Sequence, residues 1–241
     1  MDKGKLYLIP SLVGNTSFDR CIPAYNKDVV NNISVFIVEE IKTAYRTLRS
    51  IGYEKSFEGV TFFQLNEHTR KNEISNYLDA ADNGFDIGLL SEAGLPCIAD
   101  PGAIIVNAAH SKGIRIIPLI GPSSILSALI SSGMCGQSFA FNGYLPIKSP
   151  AKENKIKQLE KISLDSGQTQ IFIEAPYRNI QLLKTLISTC KPDTLISIAC
   201  NLHCDDELII SKEVYLWSMA PLPDINKKPA VFCINGKNMY I

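Results

Sequence analysis

Residues 86–102 read Asp86-Ile87-Gly88-Leu89-Leu90-Ser91-Glu92-Ala93-Gly94-Leu95-Pro96-Cys97-Ile98-Ala99-Asp100-Pro101-Gly102. The stretch opens as a short apolar run over 86–91 with the length of a strand. It continues through Gly94 and closes on Asp-Pro-Gly, where Pro101 suits the first turn of a helix over 101–112 that Gly113 stops. Glycine lets a backbone take positive φ and lie close to a ligand. A helix start leaves N–H groups without intrahelical partners, free for an acceptor. Strand, small-residue loop and helix in this order predict a layered α/β fold, with the loop as the place for chemistry.

The alternation extends outward on both sides. Upstream, strands are expected over 5–10, 33–38 and 60–65. A helix follows the second, with Ile41, Ala44, Tyr45, Leu48 and Ile51 on one face and Gly52 at its C-cap. A second helix is expected over 68–82, where Ile74, Tyr77, Leu78 and Ala81 share a face and Gly84 is the stop. Downstream, 114–119 is a fifth strand. Strands alternating with helices predict a mainly parallel sheet. In such sheets ligands sit outside the carboxyl ends of the strands.

A second unit follows. Helices are expected over 122–132, 151–163 and 177–190. Strands are expected over 138–142, 170–174, 194–200, 207–211, 213–217 and 230–234. The closely spaced strands near the end predict a mixed sheet, so the chain divides into an α/β domain over 1–119 and an α+β domain over 120–241.

Composition narrows the function classes. The 241 residues are 46% hydrophobic and 20% charged, which supports a sizeable core and argues against disorder. Lys+Arg and Asp+Glu both number 24, so no global positive charge draws the chain to nucleic acid. No apolar run is long enough to span a bilayer, and no signal-peptide core follows Met1, so a cytoplasmic protein without membrane contact is expected. The seven cysteines, at 21, 97, 135, 190, 200, 204 and 233, are scattered and odd in number, and read as reduced thiols.

Four loops hold unusual residues, each just after a strand: Pro10-Ser11-Leu12-Val13-Gly14-Asn15, the 91–102 segment, Ile120-Gly121-Pro122-Ser123-Ser124, and Glu174-Ala175-Pro176-Tyr177-Arg178. With Glu39-Glu40-Ile41-Lys42, Asn66-Glu67-His68 and Gly143-Tyr144-Leu145-Pro146, their order and spacing resemble the tetrapyrrole methylase family, and within it the branch that methylates a ribose 2′-hydroxyl of small-subunit ribosomal RNA. The resemblance spans nearly the whole chain, and the 91–102 block is its most specific part.

The resemblance implies two α/β domains with S-adenosyl-L-methionine in the cleft between them, a homodimer, and ribosomal RNA or the small ribosomal subunit as partner. Carried over by position, it implies cofactor contacts from Val13, Gly94, Leu95, Cys97, Ser123, Ser124, Glu174, Ala175 and Ala230. Methyl transfer from a sulfonium is an in-line displacement in which positioning supplies much of the rate. A ribose hydroxyl is a poor nucleophile that gains from a base or a cation. Among the polar groups Glu39, Glu40, Lys42, Glu67, His68, Glu92, Asp100 and Arg178, we expect Glu39, Glu92 and Arg178 on the substrate side. Each also reads as a solvated charge or a helix cap.

The departures bear on the substrate. Where the branch has E-D-T-R, Lys42 replaces an arginine fork with a point charge. Glu92 replaces an aspartate and Tyr177 a histidine. The branch's A-R-E-L-T becomes Ala199-Cys200-Asn201-Leu202-His203. A small-molecule methyltransferase of the same fold, or a cofactor-binding homologue with weakened catalysis, therefore stands beside the RNA reading. No G-x-G-x-x-G follows the first strand, which argues against a dinucleotide-binding dehydrogenase. Cys200, His203 and Cys204 lack a fourth ligand at structural-zinc spacing, so no metal is expected. Lys152, Lys155, Lys157 and Lys161 interleave with Glu153 and Glu160 and read as a solvated helix face.

Overall fold

A computed structural model describes residues 2–66, 68–69 and 73–236. The chain divides into two compact units, Met1–Ser123 and Ser124–Ile241. The first contains β1 (Lys5–Ile9), α1 (Phe18–Cys21), α2 (Tyr25–Val30), β2 (Val35–Val38), α3 (Ile41–Ile51), β3 (Thr61–Gln64), α4 (Asp79–Asp82), β4 (Ile87–Leu90), α5 (Ala103–Ser111) and β5 (Arg115–Pro118). Its five strands pair in the order β3-β2-β4-β1-β5, and every pairing is parallel.

A parallel sheet covered on both faces needs apolar residues at every strand position. β2 and β4 are buried throughout, as their unbroken apolar sequences require. Alternate side chains serve opposite faces: Leu6, Val35, Ile37, Ile87 and Leu89 pack with Ile105 and Ala109 of α5. Tyr7, Ile9, Phe36, Val38 and Leu90 pack with Ala44 and Leu48 of α3. Helix α3 ends on Gly52 in the left-handed region, at φ +94°, as its sequence predicts.

The segment 68–82 departs from the expected continuous helix. Its described part holds one 3-10 turn, Ile74–Asn76, and the single-turn α4. Ile74, Tyr77, Leu78 and Ala81 are still buried together, so the apolar spacing was read correctly. Tyr77 is tied outside the segment, its hydroxyl donating to the Gln64 carbonyl at 2.6 Å. Helices α1 and α2 had no counterpart in the sequence reading.

The second unit contains α6 (Ser124–Ser132), β6 (Phe139–Tyr144), α7 (Ala151–Ser166), β7 (Thr169–Ile173), α8 (Asn179–Thr189), β8 (Leu195–Cys200), β9 (Leu208–Glu213), α9 (Val214–Ser218) and β10 (Ala230–Asn235). The order is β6-β7-β10-β8-β9. β6 and β7 are parallel, and the remaining pairs are antiparallel, so the sheet is mixed. Ile156 and Leu159 of α7 and Leu182, Leu183 and Leu186 of α8 cover one core with Phe172 and Phe232, whose rings stack at 6.1 Å. The strand expected over 213–217 is instead α9. Val214 and Trp217 are buried three residues apart, and the indole N–H donates to the Ile196 carbonyl at 3.1 Å. In so short a run, apolar spacing does not separate a turn of helix from a strand.

Candidate functional site

β1 and β4 are neighbours, so the loops that leave their carboxyl ends lie side by side. Ser11 and Gly94 form an antiparallel bridge: the Ser11 N–H donates to the Gly94 carbonyl at 2.9 Å, and the Gly94 N–H returns to the Ser11 carbonyl at 3.1 Å. The Ser11 hydroxyl donates to the Ser91 carbonyl, and the Ser91 hydroxyl to the Gly94 carbonyl at 3.1 Å. Gly94 has φ +74°, and a Cβ there would lie 3.5 Å from both Val13 Cγ2 and the Pro122 carbonyl oxygen. Gly121 packs onto Pro10 so closely that a Cβ would come within 2.3 Å of the proline ring. The three loops after β1, β4 and β5 thus converge within the first unit, and Val13, Gly94 and the approach to Ser123 lie together.

Asp100 organises the remainder of the glycine loop. Its carboxylate accepts from the Cys97 N–H at 2.9 Å and from the Gly102 N–H at 2.8 Å. These bonds hold Cys97 and Ala99 at φ 69° and 62°, a region side-chain-bearing residues seldom adopt. Gly102 carries no positive φ; it is needed because a Cβ would meet Asp100 Oδ1 at 2.9 Å and Cys97 Sγ at 3.1 Å. Burial raises the Asp100 carboxyl above its usual range, and the two amides only partly offset it. Burial, aided by the Asp100 charge, lifts the Cys97 thiol to about 11, so it stays protonated near neutral pH.

Glu39 follows β2, beside β4. Its carboxylate accepts from the Glu92 N–H at 3.2 Å. Burial raises its pKa; the Glu92 amide opposes this, and the charges of Asp100 and Glu92 add to it. Glu39, Val38, Leu65, Leu90, Asp100 and Gly102 are among the residues lining a small hollow at the carboxyl ends of β2 and β4. The structure therefore brings Glu39, Glu92 and the glycine loop together. Glu40 is the N-cap of α3, accepting from the Lys42 N–H at 3.1 Å. His68 bonds through its N–H to Asn66 Oδ1 at 2.9 Å, and Glu67 lies outside the described residues.

In the second unit Glu174 ends β7 with a side chain 0% exposed. Its Oε2 accepts from Lys152 Nζ at 3.1 Å. Its Oε1 accepts from Arg178 Nε at 2.9 Å, Arg178 Nη2 at 2.6 Å and the Ala175 N–H at 2.8 Å. Burial alone would push this carboxyl up, but Arg178, the Ala175 amide and Lys152 outweigh it and hold it below the usual range. Antiparallel pairing of Val231 with Ile173 sets Ala230 at the same sheet end as Glu174 and Ala175. Arg178 is thus held by a buried carboxylate, and Glu174 turns its side chain inward.

Contrary to the solvated face its sequence suggests, Lys152 has a side chain 3% exposed and paired. The signal was present, since Lys152 falls in helical register with buried Ile156, Leu159 and Ser163. The positions that depart from A-R-E-L-T build the β8–β9 turn. Asn201 donates to Asp206 at 2.8 Å, His203 Nε2 lies 3.1 Å from Ser127 Oγ, and the His203 N–H donates to Glu207 at 2.7 Å. Among the described residues no group of three His, Cys, Asp or Glu side chains is arranged to hold a metal. Among them, too, no helix is long and apolar enough to cross a membrane.

No protein-family model matches the chain. Individual proteins do. It is 30% identical over 182 residues to the ribosomal RNA small subunit methyltransferase I of Vibrio cholerae, covering 76% of this chain and 59% of that protein. It is 26% identical over 237 residues to the protein of the same name from Haemophilus influenzae, covering 97% of this chain and 79% of that one. The chain thus spans about three fifths of the first of these relatives. The crystal structure of the methyltransferase CobJ superposes with a TM-score of 0.61 at 16% identity, over 96% of this chain and 94% of that one, and shares the fold.

Proposed function

We propose that this chain is a member of the tetrapyrrole methylase family and an S-adenosylmethionine-dependent methyltransferase acting on a ribose 2′-hydroxyl of small-subunit ribosomal RNA. The observation that carries this is the convergence of three strand-end loops on Gly94, bridged to Ser11 and packed beside Val13 and Pro122. The names of the relatives support the RNA substrate.

The residues present fit the cofactor. The loop offers main-chain surface and a glycine at positive φ, which suits a flat polar ligand. Cys97, the side chain most able to attack a sulfonium, is kept as a neutral thiol. In the first unit Val13, Gly94, Leu95, Cys97 and Ser123 are the proposed contacts. In the second they are Ser124, Glu174, Ala175 and Ala230. When bound, the cofactor supplies the methyl group on a sulfonium.

Glu39 accepts the proton of the attacking hydroxyl. Burial raises its pKa, which makes it a stronger base than an ordinary carboxylate. Glu92 keeps Glu39 in place through its N–H. Arg178, locked to Glu174, acts as a positioning residue for the Glu174–Ala175 main chain. A cytoplasmic homodimer working on the small ribosomal subunit completes the reading.

The test is methyl incorporation from labelled S-adenosylmethionine into small ribosomal subunits. Incorporation into a ribose is expected, and Glu39→Gln should lower it about 100-fold or more. Cofactor binding without any incorporation sinks the RNA substrate. A small-molecule acceptor is the second reading, favoured by the formal net charge of zero. Methylation of a tetrapyrrole in place of RNA would establish it.

A further inference from the structure

β6 and β7 run parallel, and their carboxyl ends present two aromatic rings to solvent. Tyr144 closes β6 and is 62% exposed, while its neighbour Leu145 is buried. Tyr177 lies in the 3-10 turn after β7 and is 65% exposed. Beside Tyr177 stands Arg178. Its guanidinium carbon is 4.9 Å from the Tyr177 ring centroid, and Nη1 donates to the Tyr177 hydroxyl at 2.6 Å. Tyr144 pairs with Ile173, the last residue of β7, so its ring stands at the strand end that precedes Tyr177 and Arg178.

Single exposed aromatics are common and need no explanation. Two at adjacent parallel strand ends, one of them packed on an arginine, form a local arrangement with a chemistry of its own. The base is rigid because Arg178 is fixed by fully buried Glu174, which Lys152 also holds. Lys152 and Arg178 set two positive charges against one carboxylate, so the ground beneath the rings carries a net positive charge. Exposed Lys148 follows on the same connection, and its carbonyl accepts the Lys152 N–H at 3.0 Å. Aromatic faces and guanidinium planes are what unpaired bases stack on, and positive charge is what their phosphates need.

We infer that Tyr144, Arg178 and Tyr177 form a stacking platform for unpaired nucleobases of the RNA substrate. The inference rests on the RNA reading above and adds the surface that grips the strand. The platform favours single-stranded over base-paired RNA, because a paired base has no face free to stack.

The experiment measures fluorescence anisotropy of a labelled, mixed-sequence single-stranded RNA oligonucleotide with the full chain. Tyr144→Ala and Tyr177→Ala should each weaken binding about 5- to 100-fold, the range of one lost base stack. Tyr177→Trp should keep wild-type affinity, since the ring face is retained. Thermal unfolding and S-adenosylmethionine affinity should match the wild type in all three variants, because both rings are exposed. Double-stranded RNA should compete poorly for the wild type. Tight binding by the wild type with unchanged affinity in both alanine variants overturns the platform and leaves the RNA reading standing. A wild type that binds no RNA but does bind a tetrapyrrole such as uroporphyrin overturns both.

Discussion

Asp100 in the first unit and Glu174 in the second do the same mechanical work with different partners. Each pins the turn that follows a strand. Asp100 does so with main-chain amides alone, from Cys97 and Gly102. Glu174 does so mainly with two side-chain cations, Lys152 and Arg178. The electrostatic outcomes are opposite: Asp100 is raised because burial prevails over its amides, and Glu174 is lowered because its partners prevail over burial. Amide dipoles shape a backbone but only partly compensate a buried charge, whereas cations compensate it and become dependent on it. The glycine loop is therefore held by geometry and the β7 end by charge.

The largest effect should come from Glu174→Ala. It strands Lys152 inside the second unit without its partner, a change expected to cost roughly 3 kcal/mol or more in urea unfolding. A loss below about 1 kcal/mol would show that the cluster rearranges and is not charge-locked.

Asp100→Ala comes next. It leaves the Cys97 and Gly102 amides without their acceptor and releases two residues from positive φ. A stability loss of about 1–3 kcal/mol is expected, and calorimetry should find S-adenosylmethionine affinity reduced more than Glu174→Ala reduces it. Equal cofactor affinity in Asp100→Ala and the wild type would remove the loop from the binding site.

The smallest effect lies in the pH dependence, and its sign separates the two carboxylates. Glu174 is lowered from 4.5, so its contribution to stability is present above that value and is lost as pH falls through the folded pKa. Asp100 is raised from 3.8, so its contribution is present below that value and is lost as pH rises through the folded pKa. Unfolding free energies followed across the acid range should show the stability gap between wild type and Glu174→Gln closing toward low pH. The gap for Asp100→Asn should move against the wild type as pH rises. Parallel slopes in the two variants would mean that the two sites do not differ in this way.

Much of this was legible in the amino-acid sequence. Apolar runs such as Val35–Val38 and Ile87–Leu90 are buried on both sides, and no alternative pattern competes with that in a parallel sheet. Gly94 and Gly102 stand out for different reasons: Gly94 takes positive φ, and Gly102 leaves room for Asp100 and Cys97. What stayed hidden was tertiary. Lys152 looks like any lysine of a basic helix until Glu174 is found 22 residues away in sequence. Nothing in the sequence around Arg178 shows that the same carboxylate fixes it. The apolar spacing of Ile74, Tyr77, Leu78 and Ala81 fits a continuous helix as well as it fits the short turns that form.

One feature of topology reaches beyond the finished protein. β10, the last strand described, occupies the middle of the second sheet, between β7 and β8. Until it is in place, β6–β7 and β8–β9 are two separate ribbons, each with an unprotected inner edge. A chain emerging from synthesis therefore holds those edges open until residue 235 arrives, with every bond across the gap spanning a long loop of sequence. The second unit closes late and from the centre outward, and during that interval its inner edges are the part of the molecule most exposed to mispairing.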